Sequence, residues 1–271
     1  MRIELKNVRH VYSPGTDFEF EALRDVSLSV EPDEVLGVVG GTGSGKSTLV
    51  QHMNLLLEPT SGEIFVDGVD ARTMKKSELR RRVGLVFQFP EAALFAPTVE
   101  EDVAFAPTQL RLGRDEVRRR VGEVLEMLKI PHLARRSPHA LSGGEKRRVA
   151  IAGVMAMGPE MIVLDEPTAG LDPATREELL NVVRGLKRSG ISVVFVSHDL
   201  DEVAEVCDRV CLMEKGKIKA VGNPEDVFYA HPENAPGTVR VVRLMREEYP
   251  TIGHPVRFEE TAEVLKKAME R

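Results

Sequence analysis

Gly40-Gly41-Thr42-Gly43-Ser44-Gly45-Lys46-Ser47-Thr48 carries the spacing G-x-x-x-x-G-K-[ST], the pattern of a loop that wraps a phosphate chain. Its glycines let successive backbone N–H groups turn inward at a helix N-terminus, where the helix dipole also favours an anion. Lys46 is then placed to reach the β- and γ-phosphates, and the Ser47 hydroxyl to ligate Mg²⁺. A glycine-rich hairpin that binds nothing is the plain alternative, but it leaves a lysine followed by Ser-Thr without a task. Further on, Met161-Ile162-Val163-Leu164 runs into Asp165-Glu166. A strand ending in two acids supplies the complementary chemistry: Asp165 for the Mg²⁺ shell, and Glu166 to polarise a water that attacks the γ-phosphate. Taken alone, such a pair serves equally well as a helix cap.

The elements that must position these groups are visible around them. An apolar run, Val35 to Val39, precedes the glycine loop, and Ser47 to Leu57 after it is helix-like; strand, loop and helix are the context the phosphate motif requires. Ile3, Leu5 and Val8 alternate as in a strand, as do Val26 to Val30, and Gly62 to Gly68 frames another short strand. After the strand Val83 to Phe87 the pattern turns helical, from about Val99 to Met157. The apolar runs Met161–Leu164 and Val193–Val196 flank a helical stretch, Pro173 to Arg188, an alternation that predicts parallel sheet. Asn223-Pro224-Glu225-Asp226 opens a helix with a capping side chain, proline at the first position and acids in the first turn. A Pro- and Gly-punctuated segment, His231 to Pro255, and a last amphipathic helix, Glu259 to Met269, lie outside the nucleotide core. No internal repeat is visible.

Composition narrows the class. In 271 residues, 42 % hydrophobic content is enough for one large domain or a domain with an appendage. A net charge of −6 argues against a dedicated nucleic-acid binder. The triplets Arg80-Arg81-Arg82 and Arg118-Arg119-Arg120 sit beside acids and read as solvated helix faces, with room for a docking surface. Cys207 and Cys211 lack the further ligands a metal site would want and read as buried, reduced thiols in a reducing compartment. The N-terminal segment lacks the apolar centre of a signal peptide, and no apolar run is long enough to cross a bilayer. Action at a membrane would therefore go through a partner.

Leu141-Ser142-Gly143-Gly144-Glu145 decides the family. Ser142-x-x-Glu145 is a capping box, yet two glycines are poor helix formers at a helix start and are better explained by a phosphate approaching bare backbone. With this pentad the chain closely resembles ABC-type ATPases, whose signature is L-S-G-G-[QE]; the resemblance covers about residues 1–230. It implies an α/β fold: a P-loop NTPase core with a mixed β-sheet, an antiparallel β subdomain and an α-helical signature subdomain at about 89–158. A small accessory extension that stabilises the ATPase pair would follow at 231–271. Gln88 falls at the Q-loop glutamine, which meets metal and water, and Ala169-Gly170-Leu171-Asp172 at the D-loop. His198 falls at the switch histidine that contacts the γ-phosphate, and Tyr12 at the aromatic that stacks on adenine. Singly, His198 would be a capping or packing residue and Tyr12 a core residue.

The catalytic set so implied is Glu166, His198 and Gln88, with Ser47, Gln88 and Asp165 around Mg²⁺. ATP would meet Tyr12, the loop Gly40 to Thr48, and, from a second subunit, Ser142, Gly143, Gly144 and Asp172. Two subunits, identical or paralogous, would pack head to tail, the Ser142–Gly144 loop of one covering the ATP held by Lys46 of the other. ATP would be the glue of that dimer and hydrolysis its release.

Val86-Phe87-Gln88-Phe89-Pro90-Glu91-Ala92-Ala93-Leu94-Phe95, Thr98 to Phe105, and Lys146 to Gly153 narrow the resemblance further. They look like the ATPase subunits of energy-coupling factor (ECF) importers for vitamins and metal ions such as cobalt. Ala92 and Ala93 are smaller than that pattern expects. The resemblance implies a transmembrane coupling subunit, a membrane substrate-binding subunit, no nucleic acid, and a place at the cytoplasmic face of the membrane. Phe89, Leu94 and Phe95 would anchor a helix of the transmembrane subunit, or else fill the gap between lobes. The rivals are a non-ECF ABC importer and a soluble ABC protein working on DNA or ribosomes. The latter would carry a coiled-coil insertion between Ser47 and Ser142 or a second nucleotide site, and neither is seen. A small-molecule kinase would leave the signature pentad idle. The cargo is not encoded in this chain.

Overall fold

The computed structural model describes residues 1–250 and 252–269; position 251 and the last two positions of the expected extension lie outside the described residues. The chain opens with β1 (Ile3–Tyr12), β2 (Phe20–Val30) and β3 (Val35–Gly40), then α1 (Lys46–His52), β4 (Ser61–Val66), β5 (Val69–Asp70), α2 (Lys76–Arg82) and β6 (Val83–Val86). Three helices follow, α3 (Val99–Gln109), α4 (Arg114–Met127) and α5 (Gly143–Met155). The alternation then resumes with β7 (Met161–Asp165), α6 (Pro173–Arg188), β8 (Ser192–Val196), α7 (Leu200–Val206), β9 (Arg209–Glu214) and β10 (Lys217–Gly222). The last helices are α8 (Pro224–Ala230), α9 (Gly237–Met245) and α10 (Phe258–Met269).

Two sheets form, and both match the expected architecture. One is antiparallel in the order β2-β1-β4-β5; the other is mixed, β10-β9-β3-β8-β7-β6, parallel throughout except for the β9–β10 pair. Each central strand of the mixed sheet is covered on both faces, which is why it reads as a continuous apolar run. Val35 and Val39 of β3, Ile162 and Leu164 of β7, and Val193 and Phe195 of β8 face the cluster that includes the signature helices. The alternate residues Leu36, Val38, Met161, Val163, Val194 and Val196 face the antiparallel sheet and α1. The period of two along a strand thus welds two lobes onto one sheet.

Parallel pairing also brings the C-terminal ends of the strands together. Val38 pairs with Val196, Asp165 with Val196, and Val86 with Leu164. The residues just beyond those pairs therefore emerge along one edge, where ligands of open α/β sheets bind.

Two local readings differ from the structure. α1 stops at His52 rather than continuing to Leu57, because Leu55 takes a left-handed φ of 51° and the N–H groups of Leu56 and Leu57 fold back onto Gln51 O at 3.0 and 3.1 Å. The segment His231–Pro255 contains a full helix, α9; its Pro236-Gly237 punctuation is the entrance to that helix, with Gly237 N–H donating to Asp201 Oδ1 at 3.1 Å.

Candidate functional site

Along that edge lies a cleft of about 630 Å³, lined by Gly40 to Gly43, Lys46, Ser47, Gln88, Asp165, Glu166 and His198. Residues separated by more than a hundred positions in the chain meet here because β3, β6, β7 and β8 end side by side. The loop after β3 is shaped by glycines at positive φ: 152° at Gly40, 75° at Gly43 and 99° at Gly45. Two kinds of glycine requirement separate there. A Cβ at Gly40 would lie 2.3 Å from Met213 O and one at Gly45 2.7 Å from Ala22 O, so the fold itself demands them. A Cβ at Gly41 or Gly43 would meet nothing within 4 Å, which leaves their bare backbone open to a ligand. Lys46 Nζ donates to Gly40 O at 2.8 Å and Gly41 O at 3.2 Å, which holds the ammonium over the loop.

β7 delivers two acids to different surroundings. Asp165 is 6 % exposed, and its carboxyl is pushed above the usual carboxylate range, first by burial and then by the neighbouring Glu166 charge, against the Ser47 hydroxyl and Lys46. Such a group gains from a cation. Glu166 sits in the left-handed region at φ 51°, with its N–H donating to Val196 O at 2.9 Å, and the turn aims its carboxylate at β8. There His198 Nδ1–H donates to Glu166 Oε2 at 2.6 Å. A non-glycine residue at positive φ costs on the order of 1–3 kcal/mol.

Among the described residues, no three or more His, Cys, Asp or Glu side chains gather as a metal cage. Ser47 beside Asp165, with Gln88 on the same cleft, suits instead a hard cation that takes few protein oxygens and fills its shell from phosphate and water.

The other expected contacts lie outside this cleft. Tyr12 is 38 % exposed with its hydroxyl 3.2 Å from Thr48 Oγ1, at the helix that follows the glycine loop. Ser142 caps α5, accepting from Glu145 N at 3.3 Å, while Glu145 Oε2 accepts from Ser142 N at 2.8 Å, so the capping box is real. Gly143 meets nothing within 4 Å, but a Cβ at Gly144 would come 2.3 Å from Thr175 Cγ2. Intrachain packing therefore accounts for Gly144 but not for the open Gly143. Asp172 caps α6, accepting from Ala174 N and Thr175 N at 3.1 Å each and from Thr175 Oγ1 at 2.6 Å.

A second cavity, about 440 Å³ and apolar, opens beside Gln88 between Phe87, Phe89, Phe95, Phe105 and Met157. Phe89 and Phe95 are 54 % and 59 % exposed, whereas Leu94, which lines the same cavity, is buried and packs into the core.

Three residues escaped the sequence reading. Asn234 reaches the cleft from beyond α8. Arg147, in the run Lys146-Arg147-Arg148, is buried and donates to Pro167 O at 2.9 Å and Ala169 O at 2.8 Å, holding the turn that follows Glu166, with Glu91 on its far side at 3.3 Å. Glu202, also buried, accepts from Thr168 Oγ1 at 2.6 Å and ties that turn to α7. The signal of Arg147 and Glu202 was weak because a base or an acid on a helix is usually solvated. Both cysteines are buried and unbridged, as expected. No described helix is long and apolar enough to cross a membrane.

The chain is similar to known proteins in sequence and in fold. Residues 23–169 match the family profile described as ABC transporter. The energy-coupling factor transporter ATP-binding protein EcfA2 of Symbiobacterium thermophilum is 49 % identical over 256 residues, covering 91 % of this chain and 89 % of that protein. Among solved structures, cbiO1 from Clostridium perfringens, described as part of the ABC transporter complex cbiONQ, superposes with a TM-score of 0.79 at 37 % identity over 93 % of this chain and 97 % of that one. The cassette MJ0796, a dimer in a post-hydrolysis state bound to ADP and Pi, superposes with a TM-score of 0.71 at 30 % identity over 82 % of this chain and 98 % of that one.

Proposed function

The chain belongs to the ABC transporter family of ATP-binding proteins, and from that premise we propose how its cleft works and what it drives. It is an ATPase of the energy-coupling factor type, a subunit that powers import with ATP. The observation that carries the mechanism is the convergence of Lys46, Ser47, Asp165, Glu166 and His198 on one cleft, with Glu166 bonded to His198 at 2.6 Å.

ATP lies with its phosphates in the loop Gly40 to Thr48, where Lys46 exchanges its two carbonyl contacts for phosphate oxygens. Ser47, Asp165 and Gln88 would hold Mg²⁺, which would supply positive charge to the site when bound. Glu166 accepts the proton of the attacking water, and His198 keeps that carboxylate oriented and reaches toward the γ-phosphate. Tyr12 carries the adenine ring. Residues 1–230 form the motor, with 89–158 as its signature-bearing lobe, and 231–271 an accessory extension.

One chain leaves this cleft incomplete, because Ser142 and Gly143 are exposed and stand away from it. A second ATPase subunit completes it by laying its Ser142–Gly144 loop and Asp172 over the ATP. Closure of that pair is passed through the groove at Phe89 and Phe95 to a transmembrane subunit, and a separate membrane protein selects a micronutrient. The protein thus works at the cytoplasmic face of the cell membrane. The test is to tag the Glu166→Gln variant, extract it from native membranes in mild detergent with ATP, and identify what copurifies. A transmembrane scaffold with a small substrate-binding membrane protein supports the reading; ribosomes or DNA-associated factors in their place would overturn it.

A further inference from the structure

We propose that His10 and His52 are positioning residues for nucleobase binding, which fix the Tyr12 ring to the helix that follows the phosphate loop. The proposal rests on the reading of Tyr12 as the residue that carries the base.

The geometry assigns the protons. His52, the last residue of α1, is completely buried, and its Nδ1 lies 2.7 Å from Thr48 O. A carbonyl only accepts, so Nδ1 carries the hydrogen and Nε2 is left as an acceptor. That Nε2 lies 3.2 Å from His10 Nδ1, which in turn lies 3.1 Å from Glu58 O. The second carbonyl places a hydrogen on His10 Nδ1 as well, and this N–H is shared between Glu58 O and His52 Nε2. Both tautomers are therefore dictated by main-chain carbonyls on either side of the pair.

The arrangement ends on Tyr12. The His10 ring meets the Tyr12 ring edge to face, with centroids 4.5 Å apart at 78°, and meets the His52 ring at 4.8 Å and 77°. The Tyr12 hydroxyl lies 3.2 Å from Thr48 Oγ1. Thr48, inside the phosphate motif, is thus touched at both ends of the circuit: by Tyr12 through its side chain and by His52 through its carbonyl. His10 and His52 are buried while Tyr12 keeps an open surface, so the tyrosine is backed on the protein side and free toward solvent.

A neutral His52 imidazole is needed, since a proton on its Nε2 would face the N–H of His10. Burial, the largest cause, pushes His52 down to about 4, with the nearby His10 acting in the same direction. An apolar pair would fill this volume at less desolvation cost; two rings with dictated tautomers add a fixed orientation that leucines would not. An aromatic ring held at a set angle from the phosphate loop presents base and triphosphate sites at one spacing, and ATP gains from finding both preorganised.

The experiment measures binding of ATP and of inorganic tripolyphosphate by calorimetry to wild type, Tyr12→Ala, His52→Leu, His10→Leu and His52→Gln. His52→Leu and His10→Leu are expected to weaken ATP about tenfold, within the range base stacking spans, while tripolyphosphate changes less than about twofold. His52→Gln, whose amide can donate to Thr48 O and accept from His10 Nδ1–H, is expected to stay within about threefold of wild type for ATP. Equal losses for both ligands, or leucine variants that bind ATP normally, would show the histidines to be packing only and overturn the proposal. If Tyr12→Ala itself loses ATP no more than tripolyphosphate, the base-stacking reading fails and the proposal with it. If Tyr12→Ala is selective and the histidine variants are not, only the proposal fails. Should His52→Leu not fold, His10→Leu carries the same comparison.

Discussion

Substituting the two signature glycines one at a time separates packing from chemistry. At Gly144 a Cβ would stand 2.3 Å from Thr175 Cγ2, against about 3.5–4.0 Å for carbon atoms at rest, so either α5 and the start of α6 move apart or Thr175 turns and gives up its hydrogen bond to Asp172. Overpacking of this kind costs about 1–3 kcal/mol, offset by up to ~1 kcal/mol from the better helix propensity of alanine. A net loss of roughly 1–2 kcal/mol lowers the melting temperature by roughly 2–6 °C in a chain of this size. Thr175→Ser supplies the internal control. It deletes Cγ2 but keeps the hydroxyl that donates to Asp172 Oδ2 at 2.6 Å, and the next atoms a Cβ would meet, Thr175 Cβ and Oγ1, stand at 3.5 and 3.6 Å, which is ordinary contact. Gly144→Ala should therefore destabilise the nucleotide-free protein alone and not in the Thr175→Ser background, a coupling of about 1–3 kcal/mol. Gly143→Ala meets nothing within 4 Å and should leave the melting temperature unchanged or slightly raised, yet cut ATPase activity because its Cβ would press on the partner's nucleotide. Thermal melts of the variants without nucleotide and their steady-state ATPase rates decide the matter. Equal destabilisation by Gly144→Ala in both backgrounds would refute the packing account. Full activity in Gly143→Ala would refute the phosphate approach.

Glu166→Gln should lower ATP turnover about 10²–10⁴-fold, the usual worth of a general base, with ATP binding retained; a turnover near wild type would remove Glu166 from that role. For Asp165 the folded value is raised, so between the ordinary carboxylate value and the raised one the native state holds more proton than the unfolded chain. Its contribution to stability is then lost as pH rises through that interval, and Asp165→Asn should flatten that part of the curve. The variant should be at least as heat-stable as wild type at neutral pH without nucleotide, while inactive with ATP; melts between acid and neutral pH check the sign, and a steeper pH dependence would contradict it. Phe89→Ala with Phe95→Ala should leave basal ATPase near wild type and abolish transport in the reconstituted complex, since both rings are exposed at the groove; full transport would refute the docking role.

What was legible in the sequence and what was not divides along chain distance. Lys46, Ser47, Asp165 and Glu166 could be named because each belongs to a contiguous stretch in which an apolar run ends in polar residues, and that local pattern already contains the strand end that presents them. Gln88 and His198 needed the order of motifs in a family, because one glutamine or one histidine after a strand says nothing by itself. Asn234 could not be found in either way, since its place on the cleft depends on the chain returning past β10 to the glycine loop. Arg147 was hidden for a different reason: bases in a row on a helix read as a solvated face, and only the carbonyls of Pro167 and Ala169 turn this one inward. The histidine pair combines both obstacles. His10 lies on a strand and His52 on a helix, each ordinary in its own segment, and their meaning arises only where the two rings meet and a separate main-chain carbonyl beside each dictates which nitrogen holds its proton. Chemistry presented at strand ends is thus written locally, whereas the contacts that hold its angles are written in packing between segments, and those are the residues whose substitution would distinguish a correctly placed site from one that is merely present.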